Sequence, residues 1–327
     1  MNLVLCFLAL VVGFDGQTET AKVMVFEVFV AGLLVYRIWK NQLKWQKTDW
    51  LYVVILGLAT LGNNWIGSPF RLQGGILTVF LLVWAKLAEK AKKEIPELWA
   101  GLGLVGLVIM TAIFGFNEAG RAVGPMGEPN ALAAAGLFLW PWLKGKKRWA
   151  GVVLASWLIW MTKSESGLVG LVVELMVLNK FFRVGLVVFI LSLGLPFLKK
   201  PVIFEDRTEV WKTAVQAGLM RPVLGWGMGK VEIGIQAAAL KLQNNIRWQS
   251  VDSAHNLFLD WWVQGGIVGV GLMGIAVYRM FKDKKTRTVA MGVLVVMSFN
   301  PASVVTLAAF WWLVGRGSFD HDAKVVD

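Results

Sequence analysis

Apolar runs follow one another along almost the whole chain, and short polar segments separate them. A membrane-spanning helix needs about 20 mainly apolar residues, and many of the runs approach that length. Such a series predicts successive membrane spans rather than a single anchor on a globular domain. We therefore expect an all-α fold, a polytopic integral membrane bundle of about 12 transmembrane helices forming a single domain over 1–327. The predicted spans lie near 1–14, 21–37, 51–67, 73–87, 97–116, 129–143, 149–161, 166–180, 184–198, 255–278, 287–300 and 302–316.

The distribution of lysine and arginine gives the predicted bundle a direction. Together 19 of these residues lie in the segments 37–48, 86–94, 144–148, 180–183 and 279–287. The intervening short segments contain only Lys22, Arg71, Arg121 and Lys163. Because cytoplasmic loops are enriched in lysine and arginine, the first set is predicted to be cytoplasmic, together with both termini. The longest connection, 199–254, then lies on the outer, periplasmic face.

Composition agrees with the membrane as solvent, since 57% of the residues are hydrophobic and 17% are charged. A soluble chain of this kind would lack the polar surface to cover its apolar content. The formal net charge of +12 raises the question of nucleic acid, but basic cytoplasmic loops account for it, so we expect a lipid bilayer and no nucleic acid as partner. Cys6, His255 and His321 are the only cysteine and histidines, which excludes a disulfide framework and a conventional zinc site. A magnesium ion bound by carboxylates stays open.

The 199–254 loop is long and patterned as helix, which favours a functional role. Two apolar stripes predict amphipathic helices on the membrane surface or on the bundle. Between them, the glycine-rich segment 221–229 predicts a tight turn whose backbone amides could approach a ligand. The stripes consist of Trp211, Ala214, Val215, Gly218 and Leu219, and of Ile235, Ala238, Ala239, Leu242 and Ile246.

His255 comes at the end of this loop, just before an apolar run. Asp252 or Ser253 is placed to cap the helix that follows, so His255 is predicted in its first turn. There the helix dipole favours a neutral ring, which can accept a proton; the alternative is an interfacial histidine that only forms hydrogen bonds. In the same run, Gly265 and Gly269 have the spacing of a close helix approach.

Four motifs occur in an ordered set. They are R-x-x-G followed by P-N from Arg121, R-x3-W from Arg207, P-x-x-G-x-G from Pro222 and H-N-x9-G-x-x-G from His255. This set, spread over 121–281, resembles the O-antigen ligase and polymerase family of membrane glycosyltransferases. The histidine motif is the most specific of the four.

The resemblance implies a GT-C-like bundle that moves a glycan from an undecaprenyl diphosphate carrier to an acceptor hydroxyl on the outer face of the bacterial inner membrane. The acceptor is a lipid A core sugar or another glycan, lipid or protein hydroxyl. The resemblance also points to an inverting displacement without a metal or cofactor. Arginine binds phosphate bidentately and stays charged, which suits it to the diphosphate, while a histidine deprotonates or orients the acceptor. The predicted catalytic residues are His255, Arg207 and Arg221, and the predicted substrate-binding residues are Arg121, Asn256, Arg71, Lys163 and Trp226. For each arginine, a solvated or headgroup-contacting side chain is the alternative.

One position departs from the family pattern. Where the family has a serine-arginine pair at an outer span boundary, this chain has Ser164 and Glu165, with Lys163 beside them. The reversed charge leaves open that the protein is an inactive member of the family.

A polysaccharide polymerase or a protein O-oligosaccharyltransferase of the same family also fits the motifs, and a lipid-diphosphate transporter or flippase competes from a different functional class. Glu27 and Asp260 are left out of the predicted site: Glu27 is expected to pair or to lie near the membrane interface, and Asp260 could support His255 but is expected to face away from it at a spacing of five residues. Asn300 is interpreted as part of a cap or turn at an outer span end.

Overall fold

The computed structural model describes residues 18–43, 46, 49–67, 72–89, 95–179, 181–192, 207–284 and 286–317. The regular elements in these ranges are helices, so the expected all-α fold class is confirmed. They are α1 (Thr18–Trp39), α2 (Trp50–Gly62), α3 (Gly75–Glu89), α4 (Glu97–Phe114), α5 (Pro129–Leu139), α6 (Gly145–Thr162), α7 (Glu165–Leu178), α8 (Phe182–Ser192), α9 (Arg207–Met220), α10 (Val231–Leu242), α11 (Leu257–Met280), α12 (Arg287–Met297) and α13 (Val304–Gly317). Short 3-10 turns form at Gly124–Met126, Trp140–Trp142 and Asn245–Trp248.

Each predicted span from 21–37 onward coincides with one of these helices, and the first, 1–14, lies outside the described residues. Two described helices, α4 with 18 residues and α11 with 24, are long and apolar enough to cross a membrane. Three shorter apolar helices are α2, α12 and α13. The number of 12 spans therefore stays a prediction.

The centre of the bundle is formed by α5, α12 and α13, in which nearly every residue is buried. Around them, helices such as α1, α4, α6 and α8 expose large apolar side chains. Examples are Val28, Ile113, Trp160 and Leu191, each more than two-thirds exposed. A helix that is apolar on its outward face as well as its inward face is typical of contact with lipid.

The described part of the 199–254 loop folds into α9 and α10, which lie against each other and against α11. They share a small apolar core with the start of α11, including Ala214, Ile235 and Val263. The predicted stripe of α9 is wrong at Val215 and Leu219, because 43% and 57% of their surface is exposed. Val210 and Ala217 are buried instead, because α9 turns a face shifted by about one residue toward α10.

The polar contacts form two groups at the two ends of the bundle. One group joins segments that are predicted to be inner, and the other joins segments that are predicted to be outer. At one end, Lys86 pairs with Asp49 at 2.7 Å and Arg316 with Asp283 at 3.0 Å. At the other end, the predicted outer segments bond to one another. These contacts are Lys22 Nζ to Pro125 O (2.7 Å), Asn64 Nδ2 to Gly229 O (2.8 Å), Asn256 Nδ2 to Ser298 O (2.9 Å) and Gln73 Nε2 to Ala302 O.

Candidate functional site

The glycine-rich turn inserts into a break in α11. At Gly266 the backbone has φ 57° and ψ −149°, so the helical ladder is interrupted. The N–H groups of Trp226 and Gly227 donate to the carbonyls of Val263 and Gln264 at 2.8 and 2.9 Å. In return, Ile267 N–H donates to the Pro222 carbonyl at 2.8 Å. The turn thus satisfies backbone groups that the break leaves open.

This arrangement corrects the role expected for the turn amides. Those of Trp226 and Gly227 bond α11, and Gly229 N–H donates to Gln264 Oε1 at 2.7 Å, so these groups hold the turn rather than contact a ligand. Gly227 has φ 106°, and a Cβ there would lie 2.6 Å from the Cα of Gly62 on α2. The glycines are needed because two backbones meet here without side chains between them.

The glycines of α11 also differ from the prediction. A Cβ at Gly265 would meet only Leu58 at 3.8 Å, so no close helix approach depends on it. A Cβ at Gly269 would lie 2.8 Å from the carbonyl oxygen of Trp261 in the same helix. The glycines of the H-N-x9-G-x-x-G pattern therefore serve a helix break. Small-residue spacing alone does not distinguish a helix break from a close helix approach.

His255 precedes α11 instead of lying in its first turn. The helix cap is Asn256, whose Oδ1 accepts from Phe258 N–H at 3.0 Å and Leu259 N–H at 3.1 Å. The predicted caps, Asp252 and Ser253, are therefore wrong, because the chain bends once more after them and His255 adopts a left-handed φ of 55°. His255 is half-buried, at the junction of the loop and the bundle.

Asn256 acts structurally here. Besides capping α11, its Nδ2 donates to the carbonyl of Ser298 at the end of α12. The side chain is 6% exposed. It therefore fixes where α11 starts relative to α12, and through that the position of His255.

Arg121 connects three segments at the same end of the bundle. Its Nε donates to the carbonyl of Thr162 at 2.8 Å, and Nη2 donates to Asn130 Oδ1 at 2.9 Å. Burial lowers the pKa of Arg121, the carboxylates of Glu128 and Glu165 oppose this, and the positive charge of Arg207 lowers it further. The guanidinium remains charged over the physiological range. Arg121 and Arg207, far apart in sequence, are thus close enough to repel each other.

Behind Arg121 lies a network of buried polar side chains that the sequence analysis missed. Asn130 Oδ1 also accepts from Ser164 Oγ at 2.9 Å, Ser164 Oγ lies 3.1 Å from Ser166 Oγ, and Asn300 Nδ2 donates to Ser166 Oγ at 2.6 Å. All four residues are at least nine-tenths buried. Asn300, interpreted as part of a turn, ties the 298–303 segment to α7. The P-N motif could have indicated this network, because Asn130 is a polar residue at the start of an otherwise apolar helix and therefore needs a polar partner.

Arg221 and Trp226 form one unit on the inserted turn. The Arg221 guanidinium lies 4.4 Å from the ring centroid of Trp226, whose Nε1 donates to the carbonyl of Ala217 at 2.8 Å. Arg221 is exposed and Trp226 half-buried. One face of the indole is covered by the guanidinium, so a sugar that stacked on Trp226, a predicted substrate-binding residue, would have to displace or share Arg221.

Lys163 and Glu165 line an open groove beside α6 and α7, with a volume of about 710 Å³. Most of its other lining residues are apolar, and they include Trp160, Leu168 and Leu171. Lys163 ends α6 in a left-handed conformation, and Ser164 caps α7 by accepting from Gly167 N–H at 3.1 Å. The groove thus combines apolar side chains of α6 and α7 with Glu165, whose charge acts on Arg121.

The structure thus brings most of the predicted site to one end of the bundle. Arg207 and Arg121 lie near each other, and His255 is adjacent to Asn256, which contacts the 298–300 segment of the polar network. Arg71 lies outside the described residues. Within the described residues, no group of three or more His, Cys, Asp or Glu side chains could hold a metal ion.

Comparison with protein families identifies a match to the O-antigen ligase family over residues 129–274. The matched segment begins at α5 and ends in α11 after the break, so it includes Asn130, Arg207, Arg221 and His255, but not Arg121. This confirms the family resemblance. The family is a glycosyltransferase-like family of bacterial membranes. A comparison with curated proteins gives no significant match.

Proposed function

From this family match we propose that the protein transfers a glycan from an undecaprenyl diphosphate carrier to an acceptor hydroxyl at the periplasmic face of the bacterial inner membrane. Both termini would lie in the cytoplasm. The observation that carries the proposal is the grouping of Arg121 and Arg207 at the same end of the bundle as His255, within or next to the matched segment. A fixed cluster of guanidinium groups suits a diphosphate, which carries negative charge throughout the reaction.

In the proposed reaction the acceptor oxygen attacks the anomeric carbon while the bond from that carbon to the diphosphate oxygen breaks. The acceptor proton passes to His255, which acts as general base, and the carrier diphosphate leaves with the electron pair. Displacement from the face opposite the leaving group inverts the anomeric centre. Arg207, Arg121 and Arg221 would stabilise the charge that develops on the leaving oxygen, so the chain's own cations supply this electrostatic stabilisation.

The groove between α6 and α7 suits the lipid part of such a donor. Its apolar lining matches an isoprenoid chain, and Glu165, one of its charged lining residues, interacts electrostatically with Arg121. A carrier lying in the membrane would place its chain against Leu168 and Leu171 while its diphosphate stays near the polar end. Lys163 would contact the diphosphate as a point charge in place of the family's arginine.

The experiment is a transfer assay with purified protein in lipid nanodiscs, a synthetic undecaprenyl diphosphate-linked oligosaccharide and separate acceptors. Three acceptors, namely a lipid A core glycan, a second carrier-linked glycan and a serine-containing peptide, distinguish a ligase from a polymerase and a protein oligosaccharyltransferase. We expect transfer to one acceptor by the wild type, and a decrease of about 100-fold or more in kcat for His255→Ala and Arg207→Ala.

Matched controls separate the site from general effects. His321→Ala removes the other histidine, and Lys212→Ala removes an exposed cation from the same helix as Arg207. Both should keep the wild-type rate. Wild-type transfer by His255→Ala and Arg207→Ala would contradict the assigned roles. Carrier binding without transfer to any acceptor would favour a transporter or an inactive member instead.

A further inference from the structure

The segment that carries His255 is held down by one carboxylate from α11. Asp260 Oδ1 accepts from Ala254 N–H at 2.6 Å, and Asp260 Oδ2 accepts from Ser253 Oγ at 2.8 Å. Ser253 Oγ in turn accepts from His255 N–H at 2.9 Å. Ser253 and Ala254 are thus bonded directly to Asp260 in the first turn of the helix, and His255 is linked to Asp260 through Ser253.

This bonding opposes a strained backbone. His255 has φ 55°, a left-handed conformation that is unfavourable for a residue with a Cβ. Such a conformation persists only when its surroundings enforce it. The two ends of the bend are fixed, by Asp260 on the loop side and by the Asn256 cap on the helix side. Without Asp260, the loop side of the bend loses two hydrogen bonds to α11, one from Ala254 N–H and one from Ser253 Oγ.

The same stretch of α11 holds the other predicted site segment. Gln264, one turn after Asp260, accepts from Gly229 N–H through its side chain and from Gly227 N–H through its carbonyl. Its Nε2 donates to the carbonyl of Asp260 at 3.3 Å. The inserted turn with Arg221 and the bend with His255 are therefore positioned by neighbouring turns of one helix.

We propose that Asp260 is a positioning residue that holds His255 in its left-handed bend and so aims the imidazole at the acceptor hydroxyl. This inference rests on the proposed function for its catalytic part, while the positioning itself can be observed without turnover. Misplacing a catalytic group by about 1 Å can decrease the rate about 100-fold. The expected effect falls on kcat, because Asp260 has no part in binding the donor diphosphate.

The imidazole of His255 can be observed by NMR without overlap once His321 is replaced, because these are the two histidines of the sequence. In a His321→Gln background, ¹³C-labelled histidine gives a single imidazole signal in an NMR spectrum. We expect one narrow resonance from this background protein. Asp260→Asn should give a broadened or split resonance, since the bend then samples more than one conformation. Ser253→Ala provides a second test that leaves α11 intact and should have a similar effect.

Kinetics gives the second measurement. Asp260→Asn should decrease kcat about 10- to 100-fold with little change in the KM of the donor. Ser253→Ala and Asp260→Asn act through one set of bonds, so the double variant should be no slower than Asp260→Asn alone. The control is Glu232→Gln, which alters a comparable bond, from Ser250 Oγ at 2.7 Å, on an exposed part of the loop. It should change neither measurement.

The outcomes are separable. An unchanged resonance in Asp260→Asn and Ser253→Ala overturns the positioning role, and so does an altered resonance with unchanged kcat. If the wild type transfers no glycan to any acceptor, the proposed function fails, and the resonance alone decides whether Asp260 holds the bend.

Discussion

Replacing Gly266 by alanine should detach the inserted turn from α11. The φ of 57° and ψ of −149° at this position belong to a region that is almost exclusive to glycine. A Cβ there would lie 2.5 Å from the Pro222 carbonyl oxygen and 2.6 Å from the Val223 carbonyl carbon. Neither is the end of a flexible side chain, so the turn itself must move.

The magnitude follows from these contacts. Backbone strain for a non-glycine residue here is about 1–3 kcal/mol. Moving the turn away also removes the bonds from Ile267 N–H to Pro222 and from Val268 N–H to Val223, worth about 0.5–1.5 kcal/mol each. We expect Gly266→Ala to lower the free energy of unfolding by about 2–6 kcal/mol.

The matched control lies five residues further along the same helix. A Cβ at Gly271 would meet no heavy atom within 4 Å, so Gly271→Ala should raise the free energy of unfolding by about 0.5–1 kcal/mol through helix propensity. Unfolding is measured by titration of mixed micelles with SDS. Trypsin cleavage after Lys230, just beyond the turn, reports release of the turn and should be faster only in Gly266→Ala. Equal stability and equal cleavage of the two variants would refute the account of the break.

Three further predictions concern the site. Arg121→Ala and Arg121→Lys should both raise the donor KM about 10-fold, because lysine cannot reproduce the two-armed contact with Thr162 and Asn130; a wild-type KM for the lysine variant would contradict this in a transfer assay. Glu165→Gln should lower the donor KM, more at low salt than at high salt, since a carboxylate beside the proposed diphosphate site is removed; an unchanged KM at low salt would place the diphosphate elsewhere. Asn256→Ala should lower the free energy of unfolding by about 1–3 kcal/mol in an SDS titration, whereas Asn256→Ser, which keeps a capping oxygen but not the bond to Ser298, should lower it by about half as much.

The fold class and the positions of the helices follow from the sequence, because runs of apolar residues and basic clusters are local signals. The match over 129–274 likewise agrees with motifs that are visible as residues and spacings. The predicted helix start near His255 is too early, because Asp252, Ser253 and Asn256 are all good caps, and the contacts that favour Asn256, such as its bond to Ser298, join segments far apart in the sequence.

The residues that the sequence could not reveal act across long separations. Asn300 bonds Ser166, and no pattern within either segment indicates that pairing. The expectation that Asp260 faces away from His255 is based on helical spacing. That spacing does not apply here, because His255 lies outside the helix that contains Asp260. The glycines of α11 fit two interpretations, and only the carbonyls of Pro222 and Val223 select the helix break.

The break in α11 has a consequence for the order in which the chain is assembled. A spanning helix interrupted at Gly266 cannot enter hydrocarbon alone without exposing unpaired backbone groups. Its partners, Pro222 to Gly227, precede it in the chain, so they have already been synthesised when α11 leaves the ribosome. The groups that pair with the break are therefore present before α11, which gives assembly of this region a direction. A chain with the same helices permuted so that 222–229 is made last would lack this support at the moment of insertion.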